Sequence, residues 1–459
     1  MDRIVLQRRD TAVPAVALVA MCTLALLAGV FATAARAGAP ARAGAPASRA
    51  HGASAGTALL GGVNLGSVTS RSTPAEADRL ISLARALHAK LVRVEVPWAV
   101  LEPEASGEIA ARPLAYTDRL AADASAAGIR LIMMLESTPC WASDAPAAVL
   151  RKCSPAYGGE ANAWPPRRAS DFASFAAYLA ARYASSLAAI EIWNEPDQAN
   201  EDYLAGPEKP QHYAALLRAA YPAIKQAAPR VAVLGGSLVG SNGAFLRALY
   251  AAGIKGYYDG LAVHFYDLTL GSVRSIHEVQ LANGDHTPLW LDEFGWSSCW
   301  PRQRIQQEQA CVTAQTQATN IRNVFHELAR APYVAAAVIY KLQDSAREDF
   351  GVLSTGGARK PSFRALAQAL TSPFGAVSPV TLKLRRAGRR VIASGSGPVG
   401  DYMQLEAFQG SVLRYRALFT LDRFNRYSIA LPAQLGTSGL RIRVYQYWSG
   451  SATDAQASI

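Results

Sequence analysis

The 459-residue sequence predicts a (β/α)8 TIM barrel followed by an all-β, sandwich-like accessory domain. Three observations lead there. From about residue 59, short β-branched runs alternate with Ala-rich helical stretches, the rhythm of βα units around a parallel sheet. Eight such runs fall within about 315 residues, the number that a closed barrel needs. Near Pro373 the helical stretches stop and alternating strands take over.

The eight predicted barrel strands are Leu60–Leu65, Leu91–Val96, Arg130–Leu135, Ala189–Trp193, Val231–Gly235, Gly260–His264, Leu289–Leu291 and Ala335–Tyr340. Between them lie amphipathic helices such as Glu76–Ala89, opened by the capping box Thr73-Pro74-Ala75-Glu76, and Asp171–Ala184 and Tyr213–Gln226. The accessory domain, residues 373–459, reads as six strands: Val380–Leu384, Arg390–Ala393, Met403–Phe408, Leu413–Leu421, Tyr427–Leu431 and Leu440–Trp448. The barrel domain is thus expected over residues 59–372.

Residues 1–37 read as a targeting segment. Arg8 and Arg9 precede an apolar stretch over residues 12–34, and Ala35-Arg36-Ala37 offers a small-x-small cleavage site before Gly38. A cleaved signal peptide is expected; the stretch is also long enough, at about 20 residues, for a retained membrane tether. Residues 38–58 are Ala/Gly/Pro-rich, a linker outside the fold. Apart from Cys22 there are four cysteines, forming two local pairs in loops. Cys140–Cys153 and Cys299–Cys311 are the expected disulfides, and CxxC spacing for structural zinc is missing. Export to the periplasm or medium is expected from both features.

The formal charge of +11 invites a nucleic-acid reading. Six Arg against two Asp in residues 1–58 contribute four of these charges, and the remaining seven are spread without a long basic run. That is the balance of a mildly basic exported protein, with no nucleic-acid partner; a basic face could favour acidic polysaccharide or an anionic surface. The cluster Lys383-Leu384-Arg385-Arg386 with Arg389-Arg390 reads as a solvated strand edge. Gly395-x-Gly397-x-x-Gly400 matches a dinucleotide fingerprint by letters only. A helix is required directly after that motif, but Tyr402–Phe408 alternates like a strand.

In a (β/α)8 barrel, catalytic residues stand where the strands end. The fourth strand ends Ile192-Trp193-Asn194-Glu195-Pro196-Asp197, and the seventh ends Trp290-Leu291-Asp292-Glu293-Phe294-Gly295-Trp296. Each sets a carboxylate at the rim after an apolar run, and the two strands lie across the barrel mouth. Glu195 and Glu293 are therefore the candidate catalytic pair. Retaining glycosidases place two carboxyl groups about 5–5.5 Å apart, one as nucleophile and one as acid and then base. Arg93 and Glu95 lie two apart on the second strand and share a face, which also fits a structural ion pair. Trp98, Trp141, Trp164, Trp296 and Trp300 fall in expected rim loops, where aromatics stack on sugar rings; Trp98, Trp141 and Trp296 are taken as substrate contacts.

At these residues the chain resembles the (β/α)8 clan of retaining glycosidases, and within it is most similar to family 39 enzymes that cleave bacterial exopolysaccharide. The resemblance covers roughly residues 59–370: Asn194-Glu195-Pro196 and Glu293, Thr138-Pro139-Cys140-Trp141-Ala142-Ser143, His264-Phe265-Tyr266, and the closing Phe350-Gly351-Val352-Leu353 with Lys360-Pro361-Ser362-Phe363. It implies Glu195 as acid/base and Glu293 as nucleophile. It further implies Asn194 as the partner of the sugar 2-hydroxyl, Arg93 as the group that steadies the nucleophile, and His264 and Tyr266 as the shell around it. The eighth strand departs from the clan: many members carry Trp as the floor of the sugar site, whereas Ile339-Tyr340-Lys341-Leu342 stands here. The implied activity is double-displacement hydrolysis of a polysaccharide by a monomer, without metal or organic cofactor. The rival readings are an exo-acting β-xylosidase-like enzyme and a non-catalytic glycan-binding protein of an exopolysaccharide assembly system.

Overall fold

The structure, a computed structural model, describes residues 59–154, 159–198, 203–239, 243–266, 270–301, 311–373, 378–398, 403–446 and 454–459. The targeting segment, the linker, Cys22, Gly400 and Trp448 lie outside the described residues. Eight parallel strands close into a barrel in sequence order: β1 (Leu60–Ser67), β2 (Leu91–Pro97), β3 (Arg130–Glu136), β4 (Leu187–Ile192), β5 (Ala232–Leu238), β6 (Gly260–Phe265), β7 (Leu289–Phe294) and β8 (Val334–Ile339). Each coincides with an expected run to within a few residues. The helices between them form as the capping and apolar spacing require. In Pro74–Ala86, the Thr73 hydroxyl accepts the Glu76 N–H at 3.4 Å, and Ala77, Leu80, Ile81 and Ala84 form the buried stripe.

Strand side chains alternate between two environments. One set packs outward against the helices in the main core. The other, including Leu91, Ile132, Ala189, Leu234, Ala262, Trp290 and Ala336, forms a cluster made of strand residues alone, which is the filling of the barrel. Two residues further along the same strands, the inward positions turn polar: Asn64 after Gly62, Arg93 after Leu91, Glu191 after Ala189, His264 after Ala262 and Asp292 after Trp290. A period of two thus lays a polar layer directly above an apolar one.

Beyond the barrel stand two antiparallel sheets: β9 (Lys383–Ala387), β10 (Arg390–Ser396) and β13 (Arg426–Ala430), then β11 (Met403–Gln409), β12 (Val412–Phe419), β14 (Leu440–Gln446) and β15 (Asp454–Ser458). They enclose their own core of Val391, Met403, Leu405, Ile442, Val444 and neighbours. The β-domain meets the barrel through a buried bond from Asn425 Nδ2 to Asn320 Oδ1 at 2.8 Å. β9 begins at Lys383, not Val380, and β15 was not expected: Asp-Ala-Gln-Ala-Ser has no β-branched or aromatic residue, and pairing with β14 makes it a strand. Gly395 lies inside β10, paired with Tyr427, so the glycine motif opens no helix. No helix of the described residues is long and apolar enough to cross a membrane.

Candidate active site

Glu195 and Glu293 come together at the C-terminal rim. The backbone irregularities of two strands aim them. Directly after β4, Trp193 stands at φ 68° and Glu195 at φ 37°, left-handed backbone that turns the chain at the rim. In β7 the register slips against both neighbours: His264 pairs with Glu293 although Ala262 pairs with Trp290. This extra residue lets the adjacent Asp292 and Glu293 both serve the interior, which regular alternation forbids.

Carboxylate oxygens of Glu195 and Glu293 and Nδ1 or Nε2 of His264 all lie within 4.8 Å of one another. His264 Nδ1 is 2.6 Å from Glu195 Oε1 and 3.7 Å from Glu293 Oε1. Each glutamate is 7% exposed, at the bottom of the mouth but open to it. Glu293 is held on three more sides. Arg93 Nη1 donates to its Oε2 at 2.9 Å, Asn64 Nδ2 to the same oxygen at 3.5 Å, and the Tyr266 hydroxyl to Oε1. Gln198 Nε2 donates to Glu195 Oε2 at 3.3 Å.

Beneath this pair, Arg93 is fully buried and grips Glu191 with two bonds, Nε at 2.8 Å and Nη2 at 2.9 Å, while Nη2 also reaches Asn194 Oδ1 at 3.1 Å. Glu95, expected as a possible structural partner, stands 3.9 Å away and is a secondary contact. Burial opposes the Arg93 charge, but Glu191, Glu293 and Asp292 outweigh it and hold its pKa well above the ordinary value. Burial likewise works against the Glu191 carboxylate, and Arg93 reverses this to hold it low. For Asp292, burial and the Glu191 charge act together and push the carboxyl well up. Neither Asp292 oxygen accepts a hydrogen bond from the described residues. Both influences favour the protonated form of Asp292. Burial disfavours the His264 cation, yet Glu293, Glu195 and Asp292 raise its pKa to about 10. As an imidazolium it donates Nδ1–H to Glu195 and Nε2–H to Ser237 Oγ at 3.3 Å, and the Ser237 hydroxyl donates to Glu191.

Glu195, His264 and Glu293, and below them Glu191, His264 and Asp292, are each spaced as a cation could bridge them. In the deeper set the Arg93 guanidinium already stands 2.8 Å from Glu191 and 3.7 Å from Asp292, so a metal there would face a fixed positive charge.

The five tryptophans separate. Trp98 is 0% exposed, stacked on Phe175 and edge-on to Trp141, and cannot touch a sugar. Trp296 is 3% exposed, packed edge-on to Phe265 and Phe294. Both expected substrate contacts are corrected to loop packing: rim loops need their own small cores, and large aromatics supply them. Trp141 is half-buried, its indole N–H donating to the Glu102 carbonyl at 2.9 Å. Trp300 lies against Phe424 of the β-domain. Trp164 lines a cavity at the rim. Tyr340, directly after β8, donates to Glu348 at 3.0 Å and meets the Tyr266 ring edge-on. Asn64, Glu191, Asp292, Ser237 and Gln198 are site residues that sequence reasoning missed. An acid inside the buried run Leu187–Ile192 was the available signal for Glu191. Both disulfides, Cys140–Cys153 and Cys299–Cys311, are present.

Neither a protein-family model nor a curated protein sequence matches the chain. Among solved structures it is similar to the GH39 enzyme from Xanthomonas axonopodis pv. citri, with TM-score 0.50 and 15% identity over 85% of this chain and 94% of that one. It is also similar to a GH5_18 variant from Streptomyces cattleya in complex with Manb1-4GlcNAc, with TM-score 0.51 and 17% identity over 70% of this chain and 83% of that one. At such identities the likeness is one of fold, and it places this chain on the barrel architecture those enzymes use.

Proposed function

We propose that the protein is a retaining glycoside hydrolase that cleaves O-glycosidic bonds of a polysaccharide, a bacterial exopolysaccharide by the resemblance of its motifs. The observation that carries this reading is the approach of Glu195 and Glu293 to within 4.8 Å, across the mouth of a barrel and around one imidazolium. That separation suits attack by one carboxylate and proton transfer by the other on opposite sides of a single anomeric carbon.

In the first step Glu195 takes up the proton that His264 donates to it and passes it to the glycosidic oxygen as that bond breaks, while a Glu293 oxygen bonds to the anomeric carbon. In the second, Glu195 takes a proton from water, the water oxygen bonds to the same carbon, and the bond to Glu293 breaks. Arg93, Asn64 and Tyr266 hold Glu293 in one attacking orientation before substrate arrives. Asn194, fixed by Arg93, stands beside Glu195 to meet a sugar hydroxyl. Two disulfides suit an exported protein.

The test is release of reducing ends from a panel of bacterial exopolysaccharides by the wild type, Glu195→Gln and Glu293→Gln. Each variant is expected to keep the fold and to lose about 10²- to 10⁴-fold or more in rate. Wild-type turnover by either variant on a glycan that the wild type cleaves would remove that residue's assignment.

A further inference from the structure

A cavity of about 360 Å³ opens at the barrel rim between the loop after β3 and the loop after β4. We infer that it is a subsite for a sugar unit bearing a protonated amino group, an unacetylated hexosamine in the cleaved glycan. The inference deepens the glycosidase reading and rests on it.

Position comes first. Glu136, the last residue of β3, lines the cavity. Leu135 pairs with Ile192, so Glu136 stands level with Trp193, two residues before Glu195. Adjacent strands are about 4.8 Å apart, so the Glu136 edge of the cavity is on the strand next to the one that leads to the acid/base, a side on which a neighbouring unit of a bound chain can lie. The volume is within the range of roughly 300–1,000 Å³ usual for ligand sites.

The lining then selects the ligand. Among the described residues its charged members are Glu136 and Glu160, with no lysine or arginine, although the chain as a whole is basic. Glu160 is exposed and makes no hydrogen bond or ion pair with the described residues. Ser137, 5% exposed, also lines the cavity, and its hydroxyl has no hydrogen-bond partner among the described residues. A buried hydroxyl without a partner is costly unless a ligand completes it. Trp164 supplies an aromatic wall, and Gly206 at φ 90° presses against it so closely that a Cβ there would lie 2.7 Å from the ring. A polyol ring fits the hydroxyl and the indole. A uronate would be repelled by the acidic lining, and an ammonium would gain a charge-assisted bond from Glu160.

The experiment titrates Glu195→Gln protein with a tetramer of β-1,4-linked glucosamine, its N-acetylated counterpart and a galacturonate tetramer, in mildly acidic, low-salt buffer. The glucosamine tetramer should bind at least about tenfold tighter than either other. Adding Glu160→Gln, at an exposed position that leaves the fold unchanged by circular dichroism, should remove a several-fold part of that preference, as should added salt. Equal binding of the free and acetylated amines, tighter binding of galacturonate, or no binding at all would overturn the inference. Because binding is read without turnover, the two readings fail separately. Glycan hydrolysis by the wild type without an amine preference removes the subsite alone; an amine preference without hydrolysis of any glycan removes the catalytic reading alone.

Discussion

The imidazole of His264 holds Glu195 by a 2.6 Å contact from Nδ1 to Oε1. Because the ring is buried among three acids, it stays a cation, with its pKa raised from 6.5 to about 10. A base whose folded pKa lies above its unfolded value contributes stability that is fully present below the unfolded value and is lost as pH rises through the folded one. Thermal unfolding of the wild type should therefore show stability falling between about pH 6.5 and 10. In His264→Gln that alkaline slope should flatten, with lower stability at neutral pH. An unchanged slope would show that His264 is neutral in the folded protein.

Arg93 is the keystone of the charges under the site. Removing it leaves Glu191 and Glu293 buried or nearly so without their cation, so Arg93→Ala should cost about 3–5 kcal/mol in unfolding free energy as well as nearly all activity. Arg93→Lys keeps one charge but cannot span Glu191, Asn194 and Glu293 at once, and should fall between the two. Denaturant unfolding checks both; an Arg93→Ala loss below about 1 kcal/mol would contradict the arrangement.

Asp292 offers the opposite test, because burial and the Glu191 charge push its carboxyl toward the protonated form. A protonated carboxyl predicts that Asp292→Asn, of nearly the same shape, changes stability by less than about 1 kcal/mol at neutral pH. Were the carboxyl ionised beside Glu191, removing the repulsion would raise the melting temperature markedly, and that rise is the contradicting result.

The Cys140–Cys153 bridge closes a 13-residue span of the loop leading to Glu160 and Trp164. A span of this size is worth up to about 3 kcal/mol by chain entropy. The Cys140→Ser/Cys153→Ser protein should unfold at lower denaturant by an amount within that limit, and the indole fluorescence of the loop should change with it. No measurable shift would mean that the loop is held by its packing alone.

Much of this was legible because the barrel repeats one signal. Parallel strands buried on both faces read as apolar runs, and Glu195 and Glu293 stand out as acids at the ends of two of them. The polar layer was harder. Arg93 is visible inside a strand, but its partner Glu191 lies two strands away around the barrel, and only closure of the sheet brings them together. Asp292 was passed over because alternation sends one of two adjacent residues outward, and the bulge that brings both inward leaves no mark in the sequence. Trp98 and Trp296 misled because a rim loop on such a barrel is thick enough to bury an indole completely. β15 shows the converse, a strand made by its neighbour and not by its own residues.

The central claim, that Glu195 and Glu293 act as a retaining pair, is tested most directly on the first glycan the protein cleaves, by tracking the anomeric proton of the new reducing end by NMR before mutarotation. A carboxyl approach within 4.8 Å predicts that the first-formed product keeps the anomeric configuration of the bond that was cut. A first-formed product of inverted configuration would contradict it.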